Sequence, residues 1–314
     1  MPTITTAQPA PASSLKQAII RHPLVAFFVL AFAISWLSVL PMTLSRNVGV
    51  GLLPYDLPDP IAMALFLTGS FIGPSLGAVI VLAVTEGRPG VIRLLKRCVQ
   101  WRAKPRWYVV VLSANLLIWL LSYSALIGPE VLTAAVQHWP LLFTTFVPYV
   151  AFGILLPSIA EEPGWRGFAL PRLQQRYGPL AASLILGLLH GLWHVPALMT
   201  INFGPFPLAN YVPFMLTVMM TAVLYTWVYN HTDGSVLMAM LFHGAGNAVT
   251  QWLTTLFRDA GLEEPRAGVA GFLASTTWIN VIGYGLAALL VIVLTRGRLG
   301  ARTRSLQVGV RPAA

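Results

Sequence analysis

Eight apolar stretches recur along the chain, at 24–44, 61–84, 107–127, 141–160, 180–201, 211–230, 236–257 and 276–295. A helix needs about 20 apolar residues to cross hydrocarbon about 30 Å thick. Inside hydrocarbon every backbone N–H and C=O must be satisfied within the segment, which favours helices. Composition agrees. Hydrophobic residues make up 56% of the 314 and charged residues 10%, with a mean hydropathy of +0.73, whereas soluble domains carry roughly 25% charged residues. The expected fold is an all-α integral membrane protein of about eight transmembrane helices, set in a lipid bilayer.

A formal charge of +10 raises the question of nucleic acid, and the placement of the charges excludes it. With both termini cytoplasmic, seventeen Lys and Arg fall on that side, seven of them in loop 85–106, and only Arg46, Arg258 and Arg266 on the other. That is a positive-inside bias, and the even span count fits it. The loop is read as a topology determinant, with a specific anionic-lipid contact as the lesser alternative. The lone cysteine, Cys98, excludes an internal disulfide and any CxxC site. The first fifteen residues are rich in Pro, Ala, Thr and Ser and are expected to be disordered. The first apolar run is too long for a secretory signal and reads as an uncleaved anchor.

Gly73-Pro74-Ser75-Leu76-Gly77 matches the G-x-S-x-G nucleophile elbow, a motif that works on a strand-to-helix turn. Here it lies in an apolar span. Gly69, Gly73 and Gly77 recur every four residues, the small-residue pattern that lets membrane helices approach closely. Packing is the preferred reading, and a rhomboid-like serine protease using Ser75 is the alternative.

The chain has only ten acidic residues, and two of them, Glu161 and Glu162, stand together where an apolar stretch ends. Ionisable groups at membrane depth are costly and mark function. On a helix the two point roughly 100° apart. Arg166 lies four residues after Glu162, an ion-pair spacing, which leaves Glu161 free to face elsewhere. His190 and His194 are also four apart and share a helix face, and His243 and Asn247 repeat that spacing on another span. One such histidine would mean little, since it could simply bond a neighbouring helix. Three on two helices suggest proton transfer or metal ligation. HExxH is absent, so a zincin arrangement is excluded. His22, His138 and His231 sit in loops or at span edges and are given no chemistry. Pro163 is expected to break or kink the helix after Glu162. Segment 164–177 is expected to lie along the cytoplasmic interface as a short amphipathic helix after the fourth span.

These residues resemble the motifs of the CAAX-protease and bacteriocin-processing family, also called Abi, over roughly 140–250. E-E-x-x-x-R stands as Glu161-Glu162-Pro163-Gly164-Trp165-Arg166. An aromatic residue followed by x-x-x-H is met by His190-Gly191-Leu192-Trp193-His194, with histidine in the aromatic place. H-x-x-x-N is His243-Gly244-Ala245-Gly246-Asn247. Each motif alone is weak, but all three in order make a fairly specific match. The resemblance implies an intramembrane endopeptidase acting on a peptide or membrane-protein substrate, in a bacterial plasma (inner) membrane. Glu161 would activate water, with His194 sharing that water. His243 and Asn247 would stabilise the oxyanion, Glu162 and Arg166 would form a supporting pair, and His190 would be a secondary or alternative partner. Zinc held by Glu161, His194 and His243 is compatible with the pattern, as is metal-free hydrolysis. The chain then divides into a disordered segment 1–20, three spans and a basic loop over 21–140, a catalytic core at 141–257, and a last span with basic tail at 258–314. Rival readings are a non-catalytic bacteriocin-immunity or scaffold protein and a proton-coupled transporter, although no repeated halves of the transporter kind are evident.

Overall fold

A computed structural model describes residues 14–69, 72–200, 208–262 and 276–301. Among these residues every regular element is helical. In chain order they are α1 (Ser14–Arg21), α2 (Pro23–Leu44), α3 (Asp59–Gly69), α4 (Gly73–Thr85), α5 (Gly87–Cys98), α6 (Pro105–Leu126) and α7 (Glu130–Gln137). A long rod, α8 (Leu142–Tyr177), follows. After it come α9 (Pro179–Trp193), α10 (Val195–Leu198), α11 (Leu208–His231), α12 (Val236–Ala260) and α13 (Thr276–Thr295). The all-α membrane architecture is as expected.

Among the described residues five helices, α2, α6, α8, α11 and α13, are long and apolar enough to cross a membrane. The other three expected spans take different forms. Stretch 61–84 is divided between α3 and α4, so neither piece reaches full length. Stretch 180–201 becomes the 15-residue α9, which stops at Trp193, just before Pro196 removes a backbone donor. Stretch 236–257 is the 25-residue α12, long enough but interrupted by His243, Asn247, Gln251 and Arg258. Ser235 caps its start, its hydroxyl accepting from the Met238 N–H at 3.2 Å. Gly261 closes it at φ 63°, a left-handed conformation that suits glycine. Residues 1–13 lie outside the described residues, but part of the segment expected to be disordered is ordered. Residues 14–21 form α1, which lies against α2 and α4 and packs Ile19 onto their core.

Two apolar cores organise the bundle. One joins α6, α8, α11, α12 and α13 through Tyr123, Val150, Tyr225, Phe242 and Tyr284. The other joins α2, α4, α5, α8 and α9 through Phe27, Val81, Leu94, Trp165 and Trp193. The spans turn large apolar side chains outward, with Leu37, Leu121, Leu155 and Leu294 all exposed. Water would penalise such a surface, whereas lipid accommodates it. α8 contributes to both cores, and its acidic pair lies where they meet.

Candidate active site

α8 carries Pro148, Pro157, Pro163 and Pro171 and yet continues from Leu142 to Tyr177. It does so by widening into π-helical turns at Leu142–Phe146, Ile154–Ser158 and Pro163–Ala169. Such turns are rare and gather at functional sites. A proline supplies no N–H to the carbonyl four residues before it. The two carbonyls stranded in this way near the acidic pair find side chains instead. The Ser158 hydroxyl donates to the Gly153 carbonyl at 2.7 Å, and the Ser75 hydroxyl donates to the Ile159 carbonyl at 3.0 Å. The expected break at Pro163 is therefore absent. The expected amphipathic helix keeps only its second half, residues 170–177, which buries Leu170 and Leu173. The first half is the π turn, and it is wholly buried. Close packing of α4 holds it there, since a Cβ at Gly164 would stand 2.4 Å from the Pro74 carbonyl oxygen. Ser75 thus ties α4 to α8 in the packing sense.

Glu162 is fully buried and saturated. Arg166 Nη1 donates to both its oxygens, at 2.9 and 3.0 Å, and His243 Nδ1 donates to Oε1 at 2.8 Å. The Arg166 guanidinium also lies 3.8 Å above the Tyr225 ring, a cation–π contact strengthened by desolvation. His243 reaches Glu162 because α12 approaches α8 backbone to backbone. A Cβ on Gly244 would stand 2.9 Å from the Val150 carbonyl oxygen, and one on Gly153 would stand 2.9 Å from the Gly244 Cα.

Glu161 faces the other way, towards α9. Its Oε2 shares a proton with His190 Nε2 at 3.0 Å. His194 Nδ1 donates to the His190 carbonyl at 2.9 Å, which leaves Nε2 of His194 as a free lone pair. The end of α9 is held from α2. Trp36 Nε1 donates to the Trp193 carbonyl at 3.0 Å, and the Thr43 hydroxyl donates to the Pro196 carbonyl at 2.9 Å. Asn247 lies one turn beyond His243 on α12, exposed and without a hydrogen bond to the other site residues.

The metal question can be put to this donor set. One ligand atom each from Glu161, His190 and His194 lie within 4.8 Å of one another. Two imidazoles and a carboxylate are a zinc-type set that leaves a fourth position open. The His194 Nδ1–H bonded to a carbonyl is the arrangement that orients metal-binding imidazoles. Nδ1 of His190 is buried and has no partner among the described residues to orient it in the same way. The residues fit a divalent ion, with His190 in the place expected for His243.

Tyr225, Trp165 and Trp193 were not among the sequence candidates. Trp165 and Trp193 flank His190, with ring centroids 5.0 and 5.9 Å away. Asn115 belongs to the same scaffold. Its Nδ2 donates to the Phe242 carbonyl at 2.9 Å, and its Oδ1 accepts from Tyr284 at 2.7 Å. Trp165 and Trp193 occupy only variable places of the first two motifs, and Tyr225 and Asn115 stand in none, so their spatial neighbours mark them. Cys98 lies apart on α5, where burial pushes its thiol up to about 11, which keeps it from acting as a thiolate nucleophile.

Residues 143–249, the region holding all of these motifs, match the family described as "Type II CAAX prenyl endopeptidase Rce1-like". The chain is also 32% identical over 126 residues to a CAAX prenyl protease 2 from Methanococcus maripaludis. That alignment covers 38% of this chain and 46% of the relative, so the chain spans less than half of the relative's length. The resemblance read from the three motifs is borne out over this region.

Proposed function

We propose that the protein is an intramembrane endopeptidase in which Glu161 activates water against a peptide carbonyl. One observation carries this reading. Of two adjacent buried carboxylates, Glu162 has both oxygens occupied, while Glu161 is paired to a single imidazole and stands beside His194. A carboxylate so placed can take a proton from water, and general-base catalysis of this kind contributes about 10² to 10⁴ in rate. His194 Nε2 is an acceptor for the same water. As the water oxygen bonds to the carbonyl carbon, negative charge develops on the carbonyl oxygen. His243, protonated at Nε2 as well as at the Nδ1 that serves Glu162, and Asn247 are assigned to stabilise it, and the Asn247 amide has no hydrogen-bond partner among the described residues to compete. The proton taken by Glu161 passes to the departing amine as the C–N bond breaks. Donors aimed at developing charge in a site of low dielectric act more strongly than in water.

A zinc-type ion would be held by Glu161, His190 and His194 and would supply Lewis-acid polarisation of the carbonyl when bound. In that case Glu161 would be a ligand and not the base. The relatives' names point to prenylated CAAX peptides as a first substrate class, and the membrane-facing surface suits a lipidated or membrane-embedded peptide. The family match favours hydrolysis over an immunity or transport role. Both termini are placed in the cytoplasm of a plasma-membrane protein on the basic-residue bias.

The test is cleavage of a library of prenylated and unmodified membrane peptides by purified protein in nanodiscs, with and without chelator. Hydrolysis lost in Glu161→Gln and His194→Ala but kept with chelator would support the base mechanism. Loss with chelator and recovery with zinc would make Glu161 a ligand. Equal cleavage by all variants would overturn the proposal.

A further inference from the structure

A cavity of about 750 Å³ opens at the far end of α4, between α1, α5 and the last turns of α8. This lies within the usual size range of ligand pockets. Four cations line it, Arg93, Lys96, Arg97 and Arg172, against one carboxylate, Glu86. Glu86 is shared between two of them, bonding Arg93 and accepting from Arg172 at 2.6 Å. Arg97 spends one N–H on the Tyr229 hydroxyl at 3.0 Å. Lys96 has no ion-pair partner among the described residues. The site is therefore built with positive charge in excess, much of it positioned by protein contacts rather than left to sway in solvent.

Ile20, Leu82, Leu94 and Pro171 give the lining an apolar side, and Thr85 and Gln175 add two neutral polar groups. Excess cations beside apolar side chains match a molecule with an anionic head and a hydrocarbon body. The cavity also sits on the face that carries basic loop 85–106, where the positive-inside bias places the anionic leaflet. None of Glu161, Glu162, His190, His194 or His243 lines it. Gly167 does, so the π turn that carries Arg166 is a wall shared by the two sites.

We infer that this cavity binds the phosphate headgroup of an anionic glycerophospholipid, with its acyl chains along the apolar side. The inference stands apart from the hydrolytic reading, because binding is measured without turnover. Each cation near an anionic headgroup is worth about 5-fold in affinity, so removing two predicts a loss of about 30-fold.

The experiment is native mass spectrometry of the full chain in detergent, titrated with phosphatidylglycerol or phosphatidylcholine. Wild type should prefer phosphatidylglycerol. Arg93→Ala with Lys96→Ala should lose about 30-fold, while the charge-preserving pair Arg93→Lys and Lys96→Arg should retain binding, which separates lost charge from lost fold. Arg102→Ala with Lys104→Ala, on the same loop but outside the cavity, should leave affinity unchanged. Equal loss in that outside pair would overturn the site in favour of diffuse surface charge, and no loss in the cavity pair would overturn it outright. Displacement by millimolar inorganic phosphate would reassign the site to free phosphate. Displacement by a peptide with a free C-terminal carboxylate would make it a substrate subsite, and either result would overturn the lipid assignment.

Discussion

Glu161 and Glu162 are chemically identical, adjacent and both buried, yet the fold treats them oppositely. Glu162 is closed in by Arg166 and His243, with Tyr225 beneath the guanidinium. Glu161 has one imidazole and an unoccupied side towards His194. The difference arises from helix geometry, because roughly 100° of rotation per residue sends one carboxylate to α12 and the other to α9. A buried charge with complete partners is a structural element, and one with incomplete partners is available for chemistry. Removing a partner from the first should therefore cost stability, and altering the second should cost rate.

The sharpest way to break this contrast is Glu161→Gln, which keeps shape and removes the base. Peptide cleavage should fall by about 10² to 10⁴ with little change in thermal midpoint, and a large drop in midpoint would show that Glu161 is structural as well. Arg166→Ala should leave Glu162 as a buried charge with only His243 beside it and destabilise the fold by about 3–5 kcal/mol. The pair Glu162→Gln with Arg166→Met should recover much of that loss in chemical denaturation, and a double variant worse than the single would contradict the pairing.

His190→Phe tests which histidine serves Glu161, since it removes the 3.0 Å contact and keeps a ring between Trp165 and Trp193. Loss of a hydrogen bond to a charged group is worth about 1.5–3 kcal/mol, so cleavage should fall by about 10- to 100-fold. Unaltered cleavage would leave His194 as the working partner by itself. The smallest effect is expected from Ser75→Ala, about 1 kcal/mol of stability with cleavage retained. Abolished cleavage in that variant, with the fold intact, would revive Ser75 as a nucleophile.

Much of the architecture was legible because hydropathy over twenty residues reports directly on solvent. The bounds of α2, α6 and α13 follow the apolar runs closely. α8 was harder to read. Local rules stop a helix at Pro163, and only the hydroxyl of Ser75, some eighty residues away in sequence, accounts for the carbonyl that the proline strands. The acidic pair and the histidines stood out as rare ionisable groups in an apolar chain. Motif order alone ranked His194 above His190, but the register of α9 against α8 brings His190 onto Glu161. Tyr225 left no trace, because one more aromatic residue in an apolar helix carries no local signal.

The π turns of α8 set a phase. Each inserts one residue beyond the α-helical count, so everything downstream is rotated as if a shaft had been advanced by a notch. Ile154–Ser158 lies just before the acidic pair. Winding that turn back to α-helical geometry with the same residues would turn the shaft by roughly 100° and bring Glu161 to the bearing that Glu162 now holds. The composition of the site would be unchanged, yet Glu161 would face His243 and the side towards His190 would lose its carboxylate.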